Sequence, residues 1–374
     1  MNVVAKAAFV SADGHVVEPP DLWTSRIEKR FRDRAPRIES RSDGDYYIMG
    51  DGGRPTPIMG LEGAMLNEKI EGGIQEMRAH RFSDVRPGAW NPPARLADQD
   101  LDNLGAEVVY PGIGLGFFAL ADPEFQRAVF HAYNEWLIEF CSTAPLRLLG
   151  AGILPVKGPI EHAIAEAEWL AKKGLRTISI PATVPERPYG RGKVYEPLWA
   201  ALQDLGLPVA IHVGTGVNLT KSLAELGPGV FVVENKIGTG QRCIAELIWA
   251  GVPQRYPKLK FVLVEGGIGW IASLLRLMDH WWTDHRRWME PRLEEPPSAY
   301  FHRQFWATFE DDRPGLLTRE LLNVDHLMWG ADYPHTEGTF PRSREQIAKD
   351  FAGIPEIEIG KMVRDNCARL YGLA

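Results

Sequence analysis

Ionisable side chains that can bind a metal ion or move a proton stand at the predicted C-terminal ends of four strands. They are Asp13 and His15 in SADGH, His212 in AIHVG, Glu265 in VLVEGG, and Asp332 in WGADYPH with His335 just beyond. Imidazole nitrogen and carboxylate oxygen together suit zinc, manganese or ferrous iron. The set therefore predicts one or two divalent ions, with zinc favoured, bound by Asp13, His15, His212, Glu265 and Asp332.

The chemistry expected of such a site is metal-assisted proton transfer. A bound divalent ion lowers the pKa of its water to about 7 and polarises a carbonyl oxygen. We assign the general acid–base role to Asp332, which can also touch the metal, and a hydrogen-bonding or proton-shuttling role to His335. Glu265 completes the predicted catalytic set, because a carboxylate at this point can bind or bridge metal ions.

Each of these residues also has a purely structural explanation. A strand-end aspartate such as Asp13 often caps the next helix, and a histidine in an apolar run is usually a satisfied core residue. Asp332 could form a turn, and His335 could lie in a surface loop. The buried Glu265 requires a cation, either a metal or an arginine such as Arg242 or Arg276. The concurrence of these residues at the ends of several strands favours the metal site.

The elements that would position these residues are repeated β-α units. Short apolar runs alternate with amphipathic helical stretches, which is typical of a parallel sheet covered on both faces. Strands are predicted at 9–15, 106–113, 148–156, 176–182, 207–214, 259–267, 305–311 and 326–334. Eight such units predict an α/β protein with a (β/α)8 TIM barrel, whose sites lie at the C-terminal strand ends, and a doubly wound open sheet is the alternative.

The whole chain, 1–374, is expected to form one barrel domain with two long insertions. Residues 16–93 follow the first strand, and residues 215–237 follow the fifth strand without a clear helix. Insertions at that end of a barrel usually form lids and pocket walls, which we expect of 16–93 in particular. Surface decoration or an oligomer contact is an equally open interpretation.

Composition limits the classes of partner. The formal net charge of -7 at pH 7 offers no basic surface for nucleic acid, so we expect a small-molecule substrate. Three widely spaced cysteines predict neither a disulfide framework nor a thiolate zinc site, which fits a reducing cytoplasm. No stretch has the pattern of a signal peptide or a membrane span, so no membrane partner is expected.

Several longer motifs make the chain resemble a known family. They are SADGHVVEPPDLW, RLADQDLDNLGAEVVYPGIG, YNEW, LPVAIHVGTG, LKFVLVEGGIGW and LMWGADYPHTEGTFPRS. The chain resembles the amidohydrolase superfamily, in particular the amidohydrolase-related (amidohydrolase 2) proteins that include aminocarboxymuconate-semialdehyde and dihydroxybenzoate decarboxylases. The resemblance implies a TIM barrel, a homodimer, and a metal bound by Asp13, His15, His212 and Asp332.

The chain departs from the usual pattern of that family at two places. Asp13 stands where the first histidine of a His-x-His pair is usual, and Glu265 stands where a histidine is common. Strand four, TISIPA, lacks the lysine that bridges two metals in many hydrolases of the superfamily. A direct transfer of the decarboxylase mechanism is therefore not implied.

Three functions are consistent with the sequence. The first hypothesis is a metal-dependent hydrolase that attacks an amide, ester, thioester or similar activated carbonyl of a small molecule with metal-bound hydroxide. The alternative is a nonoxidative decarboxylase of an aromatic or unsaturated carboxylic acid, for which Phe117, Phe118, Trp270 and Phe340 would suit a planar ligand. A non-catalytic barrel is the third possibility, because fold does not fix function.

Overall fold

The computed structural model describes residues 9–58, 79–190, 192–217, 222 and 225–373. These residues form eleven strands, numbered β1 to β11 in chain order. Eight of them build one sheet: β1 (Phe9–Ser11), β5 (Leu104–Val109), β6 (Leu148–Ile153), β7 (Thr177–Pro181), β8 (Val209–His212), β9 (Phe261–Val264), β10 (Phe305–Phe309) and β11 (Leu327–Trp329). Neighbouring strands are parallel throughout this sheet and follow one another in chain order.

The first and last of these strands meet and close the sheet. The backbone N–H of Ala12 donates to the carbonyl of Trp329 at 3.0 Å, and that of Asp332 donates to the carbonyl of Asp13 at 3.0 Å. A doubly wound sheet would instead reverse its strand order at a switch point. The strands form a nearly closed barrel, so the predicted (β/α)8 TIM barrel is confirmed and the open-sheet alternative is wrong.

Helices alternate with the strands, and local sequence accounts for where several of them begin. The Asp122 side chain accepts hydrogen bonds from the N–H groups of Glu124 and Phe125, and a proline occupies the first turn that follows. The longer α-helices are Pro92–Leu101, Pro123–Ser142, Ile160–Lys172, Glu196–Leu205, Thr239–Trp249, Ile271–His285, Pro297–Gln304 and Ser343–Asp350. Shorter ones are Leu22–Arg26, Pro228–Val233, Val252–Arg255, Arg313–Thr318, Glu356–Gly360 and Asn366–Leu370.

The barrel interior is filled by apolar side chains, and the end of the chain extends this core. Inward-facing residues such as Val10, Val108 and Val262 share one cluster with Cys367 and Tyr371. The guanidinium of Arg176, just before β7, donates to the carbonyls of Tyr371 and Gly372 at 2.8 and 2.7 Å. The C-terminal segment therefore closes the N-terminal end of the barrel, opposite the predicted site.

The described part of the 16–93 insertion forms a small antiparallel sheet beside the C-terminal end of the barrel. Its strands are β2 (Arg37–Arg41), β3 (Gly44–Ile48) and β4 (Thr56–Pro57). Tyr47 and Ile58 from this sheet belong to one apolar cluster with Tyr333 and Phe340, which follow β11. Residues 59–78 lie outside the described residues, and the role of the insertion as a lid stays a prediction.

The segment after β8 differs from the sequence expectation. Residues 215–237 were expected to lack a clear helix, but helix Pro228–Val233 continues through a π-helical turn, Glu234–Gly238, into helix Thr239–Trp249. The glycines at 227, 229, 238 and 240 interrupt the apolar periodicity, although a proline in the first turn suits a helix start. This helix brings a lysine to the barrel mouth that the sequence interpretation did not place there.

Two expectations about the chain as a whole can be compared with the structure. Cys141, Cys243 and Cys367 are free thiols, and all three are buried. Within the described residues, no helix combines the length and apolarity needed to cross a bilayer. Phe117 and Phe118 are only 1% and 2% exposed and pack in the apolar core, and a role for them beside a planar ligand stays a prediction.

Candidate metal centre

The structure brings all six predicted site residues together at the C-terminal ends of the barrel strands. Asp13 and His15 follow β1, His212 ends β8, Glu265 follows β9, and Asp332 with His335 follows β11. Ligand atoms of Asp13, His15, His212 and Glu265 all lie within 4.8 Å of one another, and a second such group joins His15, Glu265, Asp332 and His335. Whether these residues bind a metal stays a prediction that this convergence supports.

Distances within the cluster suit a shared cation. The two Nε2 atoms of His15 and His212 are 3.3 Å apart. His15 Nε2 lies 3.5 Å from Asp13 Oδ1 and 3.4 Å from Asp332 Oδ1, and His212 Nε2 lies 3.2 Å from Glu265 Oε2. Asp13 and His15 therefore direct their side chains into the same cluster.

Backbone carbonyls fix the tautomers of the two histidines. His15 Nδ1 lies 2.8 Å from the carbonyl oxygen of Pro111, and His212 Nδ1 lies 3.0 Å from that of Val213. A carbonyl oxygen only accepts, so each Nδ1 carries the hydrogen and each neutral ring keeps a lone pair on Nε2. Two such lone pairs facing each other at 3.3 Å are unfavourable until a cation lies between them, which is the arrangement of metal-binding histidines.

The Asp13 carboxylate also lacks a hydrogen-bond partner. Both of its oxygens are buried and accept no hydrogen bond from the described residues, whereas Asp332 pairs with His335 and Glu265 pairs with Lys236. Burial and the nearby Asp332 and Glu265 raise the pKa of Asp13 well above its usual value. Burial also lowers the pKa of His212 to about 4, which keeps the ring neutral. A buried site with two facing imidazole nitrogens and an unpartnered aspartate fits a divalent cation.

Two of the site carboxylates stand on unusual backbone. Glu265 has φ 61° and Asp332 has φ 52°, so both adopt the left-handed conformation that non-glycine residues rarely take. The third such residue among those described is Asn103, a type that tolerates this conformation in turns. Left-handed backbone at acidic strand-end residues is typical of functional positions, where the fold holds a side chain in a required direction.

His335 and Asp332 form a tight pair beside the cluster. His335 Nδ1 lies 2.9 Å from Asp332 Oδ1, and its ring stacks on His15 with the centroids 4.2 Å apart. Burial would lower the pKa of His335, but the Asp332 carboxylate outweighs burial and raises it to about 10. Burial would likewise raise the pKa of Asp332, but His335 and His15 hold it well below its usual range. The Asp332 carboxylate thus favours the protonated form of His335.

Lys236 is a site residue that the sequence interpretation missed. Its Nζ lies 3.0 Å from Glu265 Oε1 and 3.9 Å from Glu310 Oε2. The arginine partners considered for Glu265 are wrong, because Arg242 pairs with Glu246 at 2.7 Å and Arg276 is exposed. Lys236 lies in the segment expected to lack a helix, so its direction could not be derived.

Glu310 was missed as well, although a sequence pattern pointed to it. It directly follows β10, as Glu265 follows β9, and its Oε1 is buried without a hydrogen-bond partner in the described part of the chain. Burial and the neighbouring Asp332 raise the pKa of Glu310 well above its usual value. Applying the strand-end rule to every strand would have found it.

A buried ion pair supports the backbone between the β1 ligands. Arg95 and Glu107 are about 1% and 0% exposed, and Arg95 Nη1 also donates to the carbonyl of His15 at 2.9 Å. A Cβ on Gly14 would come within 2.7 Å of Glu107 Oε2, so this carboxylate lies directly against the Asp13–His15 turn. The pair therefore positions the two ligands without touching the cluster itself.

Comparison with known proteins places the chain in a family. The amidohydrolase family model matches residues 76–373. The chain belongs to the amidohydrolase family. This amidohydrolase is 27% identical over 277 residues to gamma-resorcylate decarboxylase of Rhodococcus jostii (strain RHA1), covering 68% of this chain and 80% of that one. The predicted resemblance is confirmed.

Solved structures show the same fold. An amidohydrolase from Mycobacterium avium subsp. paratuberculosis K-10 superimposes with a TM-score of 0.79 at 23% identity and covers 97% of this chain and 99% of its own. A dihydroxybenzoic acid decarboxylase from Polaromonas sp. JS666, with bound manganese and the inhibitor 2-nitroresorcinol, gives a TM-score of 0.65 at 15% identity over 98% and 97%. The named relatives of this amidohydrolase favour the decarboxylase alternative over the hydrolase that the sequence interpretation put first.

Proposed function

We propose that this protein is a metal-dependent nonoxidative decarboxylase that acts on a small aromatic carboxylic acid. The observation that carries the proposal is that the Nε2 atoms of His15 and His212 face each other at 3.3 Å beside the buried Asp13 carboxylate, which accepts no hydrogen bond from the described residues. The decarboxylases among the relatives of this amidohydrolase supply the reaction class.

We assign the ion to Asp13, His15, His212 and Asp332. Asp332 Oδ1 lies 3.4 Å from His15 Nε2, and Glu265 has a ligand atom within 4.8 Å of those of the other three residues. When bound, the ion would act as a Lewis acid toward the oxygens of the substrate. Manganese in the structural neighbour makes it the first metal to test, whereas zinc remains the prediction from sequence. The ammonium of Lys236 on Glu265 supports one ion rather than two, because it already neutralises the outer oxygen of that carboxylate.

The side chains of this protein would supply the proton. In decarboxylation the bond between the ring carbon and the carboxyl carbon breaks, carbon dioxide leaves, and the electron pair stays on the ring carbon. That carbon must then receive one proton. His335 is held by Asp332 through Nδ1 and makes no hydrogen bond through Nε2 to the described residues, so we assign the proton donor role to His335.

This assignment modifies the roles expected from sequence. Asp332 was expected to act as the general acid–base, but it lies in the ligand cluster and orients His335, so we propose it as a ligand and orienting residue. Glu265 orients Lys236 and borders the cluster. The homodimer and the cytoplasmic location stay predictions.

The experiment is turnover of 2,6-dihydroxybenzoate by manganese-loaded protein in deuterated water. We expect carbon dioxide release and deuterium at the vacated ring carbon. The His212→Gln variant should lose turnover, whereas His280→Gln, the same change at an exposed histidine, should keep it. Hydrolysis of amides, esters or thioesters without carbon dioxide release from any of a panel of aromatic acids would overturn the proposal, as would no turnover of either class.

A further inference from the structure

Lys236 contacts the proposed metal site through the carboxylate of Glu265. It lies in the π-helical turn Glu234–Gly238, and its side chain is 33% exposed. Glu265 joins it to the cluster, because Oε1 lies 3.0 Å from Lys236 Nζ and Oε2 lies 3.2 Å from His212 Nε2. π-Helical turns often occur at functional sites, where the extra residue redirects a side chain. The ammonium therefore faces the same space as the ligands.

Lys236 is also the single lysine or arginine of the described residues that lies within 4.0 Å of a carboxylate in the cluster. Three carboxylates surround its Nζ, but Glu310 and Glu337 are each 3.9 Å away, which is too far for a hydrogen bond. An ammonium has three N–H donors, and Glu265 can engage only part of them. Lys236 keeps donor capacity for an anion that enters the site.

The charge of the site explains why an anionic substrate needs this residue. Asp13, Asp332 and Glu265 all present carboxylates to the cluster, and an entering acid adds a further negative charge. Carboxylate groups that share a site repel one another unless a cation lies between them. A fixed ammonium offsets this repulsion at the outer side of the cluster, where Glu265 already holds it.

We propose that Lys236 is a specificity-determining residue, which binds a carboxylate oxygen of the substrate and so selects aromatic acids over neutral aromatic compounds. This inference rests on the proposed function for its substrate class. The rival role is that of a mere counter-ion to Glu265. A counter-ion would affect metal binding and all ligands alike, whereas an anchor for the substrate would affect carboxylates alone.

The test compares two ligands that differ by the carboxylate, 2,6-dihydroxybenzoate and resorcinol. The affinity of manganese-loaded protein for resorcinol is measured by calorimetry. The affinity for 2,6-dihydroxybenzoate is measured in the same way where the protein does not turn it over and from KM where it does, and the metal content is measured by elemental analysis. Lys236→Met should weaken 2,6-dihydroxybenzoate binding about 10- to 100-fold, the loss of one charge-assisted hydrogen bond, and leave resorcinol binding and metal content unchanged. Lys236→Arg should restore most of the affinity.

The matched control is Lys157→Met, because it removes one positive charge from another loop of the barrel. Lys157 Nζ donates to the carbonyls of Ala119 and Leu120, so its donors are already engaged. The control should not change the preference for 2,6-dihydroxybenzoate over resorcinol. The inference is overturned if Lys236→Met weakens the binding of both ligands equally, lowers the metal content of the protein, or changes the affinity for neither ligand.

The two proposals fail in different ways. In one outcome the wild-type protein releases carbon dioxide and Lys236→Met loses affinity equally for both ligands. This outcome would overturn the role of Lys236 and keep the decarboxylase function. A carboxylate preference that disappears in Lys236→Met, in a wild-type protein that releases no carbon dioxide, would keep the role of Lys236 and overturn the reaction. Wild-type protein that binds neither ligand would overturn the role of Lys236.

Discussion

Replacing Glu107 by glutamine would test how the barrel holds the two ligands after β1. Glu107 lies on β5 and accepts from Arg95 through both carboxylate oxygens, at 2.5 and 2.8 Å, and Gln99 donates to it at 2.5 Å. Arg95 belongs to helix Pro92–Leu101, and neither partner of the pair is accessible to water. Glu107→Gln keeps the shape of the side chain and removes its charge, so the guanidinium would remain buried with no counter-charge.

The magnitude follows from the cost of a buried unpaired charge. Removing the charge of one partner of a buried ion pair lowers the free energy of unfolding by about 3–5 kcal/mol, because the other charge stays buried without its partner. Urea unfolding of the wild-type and Glu107→Gln proteins at neutral pH measures this difference. The effect should persist at high salt, because a buried pair is screened much less than a surface pair. Arg95 also binds the carbonyl of His15, so metal affinity should fall about 10- to 100-fold.

The double variant Arg95→Met, Glu107→Gln separates charge from packing. Removing both charges leaves no buried unpaired ion, so the double variant should be more stable than Glu107→Gln alone. The reasoning would be refuted by a loss below about 1 kcal/mol in Glu107→Gln, the value typical of an exposed pair. It would also be refuted if the double variant were the less stable of the two.

Two further predictions concern ions and protons. A manganese concentration a thousandfold above the dissociation constant of the wild-type protein should raise the free energy of unfolding of that protein by about 4 kcal/mol. The same manganese concentration should raise the free energy of unfolding of His212→Gln by less, and equal rises would contradict the ligand assignment. The hydrogen bond from His131 to Glu166 raises the pKa of this half-exposed histidine above 6.5. The pair should therefore stabilise the fold below pH 6.5 and lose this contribution as the pH rises through the raised pKa. The free energies of unfolding in urea of the wild-type and His131→Gln proteins should differ by about 0.5 kcal/mol at pH 5.5 and become equal by pH 9. A difference that does not change with pH would contradict this assignment.

The sequence predicted the barrel because its strands are local and buried on both faces. Each of the eight predicted strands overlaps one strand of the structure, since an apolar run bounded by turn residues is a short-range pattern. The predicted ends were too long at four places that carry site residues. β1 ends at Ser11, β9 at Val264, β10 at Phe309 and β11 at Trp329, whereas the predicted strands run to 15, 267, 311 and 334.

Non-local contacts were beyond the reach of the sequence. Lys236 contacts Glu265 because the helical segment from Pro228 to Trp249 returns to the C-terminal end of the barrel. Glycines interrupt the apolar periodicity of this segment, so its direction could not be predicted from the sequence. Arg95 meets the carbonyl of His15 across 80 positions of the chain. Asp13 and His212 could be assigned to the site from sequence, because the C-terminal end of a barrel strand lies at the active-site face of the barrel. The position of a residue in a helix or a loop cannot be derived in this way.

The strain and the charge of the site have one common explanation. Left-handed backbone costs about 1–3 kcal/mol per residue and persists only where surrounding structure enforces it. At Asp332 the enforcing contact is the hydrogen bond from its N–H to Asp13, and at Glu265 it is the bond from its N–H to Thr308 Oγ1 at 2.8 Å. Both contacts direct a carboxylate toward other carboxylates, which opposes folding without a cation. The fold therefore concentrates carboxylates where Lys236 and the proposed metal would offset their charge.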